Sequence, residues 1–354
     1  MFILNKINMA KKSGGMRIGI LTAGGDCPGL NAAIRGVGKT AIMNYGMQVV
    51  GISDGFSGLI NKEYQELSER DLSGILTLGG TILGTSREKP FKSKGKKKNE
   101  IRKPDLIKEH YDQMGLDCLV CIGGNGTLKT ASLLAKEGLN VVGIPKTIDN
   151  DVWGTDLTFG FDSAVNIATE AIDRLHSTAN SHKRIMLIEL MGHNAGWIAL
   201  YAGIAGGGDA IIIPEIPYNE DKIAEYLVQR AEQQKPYSIV VVAEGIRNPG
   251  KERSVAHYLS NRIYEMTGLE TRETVLGYIQ RGGSPSPMDR VLATRYGTAT
   301  ADMIAKKNFG NMVALKNDKI ISVPLDEVAG KLKLVEPDNP LVLQARKLGT
   351  CFGN

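Results

Sequence analysis

The segment Pro145-Lys146-Thr147-Ile148-Asp149-Asn150-Asp151 concentrates side chains that can do chemistry. Two carboxylates stand two residues apart, with a hydroxyl and a lysine just before them, directly after the apolar run NVVGI. Extended backbone would put Asp149 and Asp151 on one side. One could then take the proton of an attacking hydroxyl while the other helps to hold Mg²⁺. An Asx-rich turn uses the same residue types with no chemistry at all. A second segment, Gly123-Gly124-Asn125-Gly126-Thr127, lies between another apolar run and a helical pattern. Its N–H groups and the helix N-terminus suit a phosphate chain, although a tight strand-to-helix turn is the structural alternative. Arg184, Arg272 and Arg281 each lie beside a strand-like run and a glycine or turn cluster. Guanidinium forks grip phosphate oxygens in pairs. Three of them with two glycine loops suggest two phosphorylated ligands.

Other nucleotide patterns fail on inspection. Gly38-Lys39-Thr40 looks like the end of a P-loop, but the pattern needs glycine at 33, which is Ala33, and the run lies inside a helical pattern. A dinucleotide fingerprint beginning at Gly124 needs glycine where Lys129 stands. Cys118 and Cys121 sit in the apolar run LDCLVCIG, where strand positions i and i+3 face opposite sides. They read as core thiols, with metal or redox use the alternative, and a reducing cytoplasm fits.

These residues must be positioned by the elements around them. RIGILTAGGD, QVVGISDG, LDCLVCIGGNG, NVVGIPKTIDND, RIMLIELMG, AIIIPEIP and SIVVVAEG read as strands running into loops. Helical patterns such as LNAAIRGVGKTAIMNYG, TLKTASLLAKEG and DSAVNIATEAIDRLHSTA lie between them. Strands alternating with helices predict an α/β chain with mostly parallel sheets and helices on both faces. The 354 residues allow two such Rossmann-like three-layer domains. Ligands in such sheets bind beyond the carboxyl ends of the strands, where the glycine clusters fall. Glycine is in excess, at 42 residues, as expected where backbone turns sharply or approaches a ligand. The net charge of +5 is unevenly placed, because residues 89–103 alone carry +7 and the remainder is mildly acidic. One basic run in an acidic globule argues against a nucleic-acid surface. No stretch approaches the roughly 20 apolar residues of a membrane helix. The N-terminal MFILNKINMAKKSGGM is too short and polar for a secretion signal and reads as a flexible tail, with Met9 and Met16 as alternative starts.

GGDCPGLNAAIRG (24–36), GGTILGTSR (79–87), IGGNGT (122–127), PKTIDND (145–151), MGHNAGW (191–197) and TVLGYIQRGGSPSPMDR (274–290) together resemble the 6-phosphofructokinase family. They follow the family's order over about residues 17–325, and PKTIDND and IQRGGSP are highly specific. The resemblance implies phosphoryl transfer to the 1-hydroxyl of fructose 6-phosphate in glycolysis, with Mg²⁺, in the cytoplasm. It implies Asp149 as base, Thr147 as a contact to substrate and transferring group, and Arg87 as a donor-phosphate arginine. Gly24, Glu88 and Gly123, Gly124, Asn125, Gly126 and Thr127 match the donor cradle. Asn125 and Asp151 match metal-associated positions. Ile148, Met191, Gly192, His193, Glu244, Tyr278 and Arg281 match sugar-phosphate contacts. Arg184 and Arg272 match arginines that reach in from a neighbouring subunit, which implies a homo-oligomer, usually a tetramer. The implied domains are 17–160 with 280–335 for the donor and 161–279 with 336–354 for fructose 6-phosphate, after a tail at 1–16.

Three positions depart from the family's best-known pattern. Asn125 stands for an aspartate, His193 for an arginine and Tyr278 for a histidine. Two more bear on the donor. Glycine at 126 matches ATP users, whereas Lys146 matches pyrophosphate users, a mixture that resembles a mixed-substrate subgroup. A carboxylate at 126 would crowd and repel a nucleotide's α-phosphate, so Gly126 favours ATP, with pyrophosphate the alternative donor. A catalytically weak nucleotide or sugar-phosphate sensor is a further alternative, kept open by Asn125. Diacylglycerol and NAD kinases share a GGDG-type loop but not PKTIDND with IQRGGSP. Arg35 and Lys39 match basic positions of the family's effector pocket, while His176 replaces a common arginine there. The basic run reads as a rim loop that steers anionic donor or as a solvated insertion.

Overall fold

The computed structural model describes residues 15–92 and 101–354. Most of the expected tail and residues 93–100 of the basic run lie outside them. The chain begins with β1 (Arg17–Ala23), α1 (Leu30–Tyr45), β2 (Gln48–Ile52), α2 (Phe56–Asn61) and β3 (Tyr64–Leu67). There follow α3 (Lys103–Gln113), β4 (Cys118–Gly123), α4 (Asn125–Lys136), β5 (Val141–Pro145), α5 (Phe161–His182) and β6 (Ile185–Leu190). Next come α6 (Trp197–Ala205), β7 (Ala210–Ile212), α7 (Glu220–Glu232), β8 (Ser238–Ala243), α8 (Val255–Thr267) and β9 (Thr271–Val275). The last are α9 (Pro287–Ala305), β10 (Asn311–Lys316), β11 (Lys319–Pro324), α10 (Leu325–Val328) and α11 (Pro340–Lys347). The expected α/β class with mostly parallel sheets is what the protein has.

The chain divides into two compact units. The first comprises residues up to Thr147, Val152–Phe159 and Pro287–Lys331. Its sheet has the order β11-β10-β5-β4-β1-β2-β3, parallel except where β3 and β11 turn back on β2 and β10. The inner strands are apolar because both faces are covered, as parallel sheets require. Alternate residues divide between the faces. Leu21, Leu119 and Cys121 join one core cluster with Phe56 and Leu59 of α2, Ile107 and Tyr111 of α3, and Leu128 and Leu134 of α4. Cys118, three residues from Cys121, is buried but lies outside that cluster. Burial raises the pKa of both thiols, which disfavours thiolate chemistry. Much of the glycine excess serves packing. A Cβ on Gly297 of α9 would stand 2.7 Å from the Ala33 carbonyl oxygen of α1, so these helices meet backbone to backbone. Gly38 instead makes room for a side chain, with Leu72 Cδ1 2.5 Å from where its Cβ would be.

The second unit comprises Ile148–Asp151, Gly160–Ser286 and Leu332–Asn354. Its sheet is parallel throughout, in the order β7-β8-β6-β9. Compared with the boundaries implied by the resemblance, residues 148–151, 160, 280–286 and 332–335 fall in this unit instead. Local bonds account for part of this. The Ser286 N–H and hydroxyl donate to Ser163 and Asp162 at the start of α5, at 2.9 and 2.5 Å. The Lys333 N–H donates to the Asp151 carbonyl at 2.9 Å. The stretch after Val335 contains α11, capped by the Asn339 side chain. It then pairs through Cys351 with Ala210 of β7.

Candidate active site

In the first unit, β5, β4 and β1 are neighbours, and their carboxyl ends assemble a cradle. Gly24 leaves β1 with φ 89°. Its N–H donates to the Ser86 carbonyl at 2.9 Å, and its own carbonyl accepts from the Thr85 hydroxyl at 2.8 Å. The segment before Arg87 is thereby stitched to the end of β1. Gly123 ends β4, where a Cβ would lie 2.3 Å from the Thr127 side chain. Thr127 is buried, and its hydroxyl donates back to the Ala23 carbonyl at 3.2 Å. Helix α4 begins at Asn125, so Asn125, Gly126 and Thr127 form its first turn. N–H groups there have no intrahelical acceptor, and the dipole favours an anion. Gly126 is exposed, with nothing within 4 Å of where its Cβ would be. Lys146 is only 3% exposed and sends its ammonium to the Gly25 carbonyl. Arg87 is exposed. Glu88 is tied to Lys103 at 2.9 Å.

In the second unit, the carboxylate segment is not extended, contrary to the expectation. Residues 148 and 149 form a turn and Asn150 is left-handed, with φ 50°, a region that Asn enters at less cost than most residues. The turn keeps Asp149 and Asp151 buried, at 9% and 7% exposure. Burial, and then the charge of Asp149, push the Asp151 carboxyl up to about 6. His193 and Lys333 act in the opposite direction.

The loop 191–196 follows β6 and is held by acceptors from three other segments of the chain. The Met191 N–H donates to Gln280 Oε1 at 2.9 Å. The Gly192 and His193 N–H groups donate to Glu244 Oε1 at 3.2 and 2.8 Å. The Gly196 N–H donates to Glu215 Oε1 at 2.9 Å. These bonds sustain positive φ at Gly192 and His193, 151° and 53°. His193 is exposed, Arg281 is half-buried, and Tyr278 is exposed on a short 3₁₀ turn at Gly277–Arg281. Ile148 is fully buried. Sequence reasoning passed over Glu215, Gln280 and Lys333. Gln280 lies within the IQRGGSP motif, whereas the other two have no local pattern to mark them.

Arg184 and Arg272 lie elsewhere on the same sheet. Arg184 immediately precedes β6, and Arg272 pairs with Met186 near the start of that strand. Met191 follows the other end. Leu190 ends β6 six residues on from Arg184, about 20 Å at roughly 3.3 Å per residue. Arg184 pairs with Glu270 at 2.6 Å, and Arg272 donates to its own Thr271 carbonyl at 2.6 Å.

A glycine and helix-terminus cradle on one mostly parallel sheet, and a buried carboxylate turn with an anchored loop on a second unit, are features of a phosphoryl-handling α/β protein. Residues 17–304 match the family model described as phosphofructokinase, and the chain belongs to that family. It is 63% identical over 338 residues to ATP-dependent 6-phosphofructokinase 3 of Bacteroides thetaiotaomicron, covering 96% of this chain and all of the relative. It is 59% identical over 359 residues to ATP-dependent 6-phosphofructokinase of Spirochaeta thermophila, covering 95% and 97%. Among solved structures, phosphofructokinase of Pichia pastoris in the T-state is similar at a TM-score of 0.82 and 33% identity. That match covers 89% of this chain and 35% of the Pichia chain, so this chain spans about a third of that protein. Pyrophosphate-dependent phosphofructokinase of Marinobacter aquaeolei shares the fold at a TM-score of 0.81 and 23% identity, covering 92% and 88%.

Proposed function

We propose that this protein is an ATP-dependent 6-phosphofructokinase, transferring the γ-phosphoryl group of ATP to the 1-hydroxyl of fructose 6-phosphate in glycolysis, in the cytoplasm. The observation that carries the reading is the buried Asp149-Asn150-Asp151 turn, which follows the strand beside the glycine cradle. In this reading Asp149 accepts the proton of the 1-hydroxyl as its oxygen bonds to phosphorus and the bond to ADP breaks. Thr147 orients the transferring group, and Arg87 neutralises charge that develops on it. Gly24, Arg87 and residues 123–127 hold the donor phosphates, with Glu88 at the rim, and Gly126 and Lys146 bear on which donor is taken. Met191, Gly192, His193, Glu244, Tyr278 and Arg281 hold the sugar phosphate, with Ile148 packed under the turn.

Mg²⁺ fits the residues present. The raised pKa of Asp151 reports its burial first and the neighbouring Asp149 charge second, and a divalent cation would offset both. Asp151 offers a carboxylate oxygen of the kind that Mg²⁺ takes, and Asn125, in the first unit, is the other position that the family resemblance associates with the metal. Among the described residues no three His, Cys, Asp or Glu gather to hold a metal, which suits an ion that keeps phosphate oxygens and waters as ligands. When bound, Mg²⁺ neutralises charge on the donor phosphates.

The position of Arg184 and Arg272 at the amino end of their sheet supports their serving the site of another copy, in a homo-oligomer such as a tetramer. The donor is tested by assaying purified protein with ATP and with pyrophosphate. Turnover with ATP is expected, and turnover with pyrophosphate alone would overturn ATP as the donor. Subunit mixing tests the sharing. Arg184→Ala and Asp149→Ser chains, each nearly inactive alone, should regain activity when reassembled together. No recovery in a verified hybrid would sink the shared site.

A further inference from the structure

We propose that Lys333 is a positioning residue of the reaction, holding the Asp149-Asn150-Asp151 turn in its reactive shape through both its ammonium and its backbone N–H. The inference rests on the reading of Asp149 as the base. The turn lies outside any regular element and puts a non-glycine residue in left-handed backbone. Such a conformation is disfavoured for a residue with a side chain and persists only where its surroundings over-determine it. Lys333 is one such determinant. Its N–H donates to the Asp151 carbonyl at 2.9 Å, and its Nζ donates to Asn150 Oδ1 at 3.0 Å. One residue thus grips both neighbours of the peptide that links Asn150 to Asp151. Asn150 is 2% exposed, so its side-chain bond is made in a dry setting, where it is stronger than in water.

Lys333 is itself held in place. Its carbonyl accepts from Trp197 Nε1 at 2.9 Å, and its ammonium lies 5.5 Å from the Trp197 ring centroid. Two residues on, the Val335 N–H donates to Glu215 Oε1 at 2.9 Å. Glu215 also accepts from Gly196, at the end of the loop that carries Met191 to His193. The segment 333–335 therefore joins the carboxylate turn to the sugar-phosphate loop within one unit. The ammonium also brings a positive charge to a turn that buries two carboxylates, offsetting part of their repulsion.

The test compares Lys333→Met, which removes donor and charge at similar length, with Lys333→Arg, which keeps both. The backbone N–H survives in each. For Lys333→Met we expect kcat to fall by about 10- to 100-fold, because a small displacement of a reacting group costs that much. KM for fructose 6-phosphate should stay within about threefold, and Lys333→Arg should recover most of the lost kcat, because it keeps charge and donors. Deuterium uptake in the peptide spanning 146–152 should quicken in Lys333→Met while the melting temperature stays close to wild type. Wild-type kcat and wild-type uptake in Lys333→Met would overturn the proposal. So would a lower melting temperature with KM and kcat impaired together and no recovery in Lys333→Arg, which is the signature of a fold-supporting role. Wild-type turnover of fructose 6-phosphate tests the function separately, and the exchange measurement does not depend on it.

Discussion

Asp149 and Gly126 make opposite kinds of test. Asp149 is buried in a turn whose shape several bonds enforce, so changing its carboxylate removes chemistry before it removes structure. Asp149→Ser should lower kcat by about 10²- to 10⁴-fold, the usual weight of a general base, with a modest effect on KM for fructose 6-phosphate. Near-normal kcat in steady-state assays would take Asp149 out of the role. Gly126 is exposed in the first turn of α4, in ordinary backbone, with open space where a side chain would go. A Cβ there meets no protein atom within 4 Å, so Gly126→Asp should leave the melting temperature unchanged. It should nevertheless raise KM for ATP by about tenfold, a cost near 1.4 kcal/mol, by placing negative charge where the helix terminus would otherwise attract phosphate. Gly126→Ala isolates size from charge. If the alanine variant alone accounts for the loss, crowding rather than repulsion governs the position. Unchanged ATP kinetics in Gly126→Asp would remove the donor from this part of the cradle.

At the scale of elements, the loop 191–196 depends on side chains that lie far away in sequence. Glu215, Glu244 and Gln280 reach it from 19 to 89 positions away. Glu215→Ala would leave the Gly196 and Val335 N–H groups without this acceptor, at a cost of about 1–3 kcal/mol for buried donors. The loop should loosen, and KM for fructose 6-phosphate should rise more than kcat falls. Denaturant melts and steady-state kinetics on one preparation check both halves, and an unchanged KM would separate the loop from the substrate. This dependence explains what was legible from sequence and what was not. The strands β1, β4, β6 and β8 announce themselves as β-branched or apolar runs because both their faces are buried. β3 and β9 do not, since YQEL and TRETV are short and largely exposed. α11 is eight residues long and begins with Pro340, too short for a helical period to stand out. PKTIDND was readable as a chemical segment from its residue types. Its left-handed Asn150 was not, because the bonds that sustain it come from Lys333, 183 residues away.

On the scale of the whole molecule, the charge is a property of position rather than of total. Net +5 conceals a run of +7 between residues 89 and 103, against a remainder that is mildly acidic. The described ends of that run are already placed: Lys103 pairs with Glu88, one residue after Arg87, in the unit that carries the glycine cradle. A local positive field near a site for a polyphosphate raises the encounter rate and lowers KM where binding is limited by approach. Such a field is screened beyond about 8 Å at physiological salt and reaches about 30 Å at 0.01 M. Neutralising Lys94, Lys96, Lys97 and Lys98 together to glutamine should therefore raise KM for ATP at low ionic strength. The effect should fade as salt is added, with kcat unchanged, because no reacting group is touched. KM for fructose 6-phosphate, a smaller anion, should move less. The measurement is KM for both substrates across a salt series in the wild type and the four-fold variant. Parallel salt curves for the two proteins would show that the run is a solvated insertion with no part in gathering the donor.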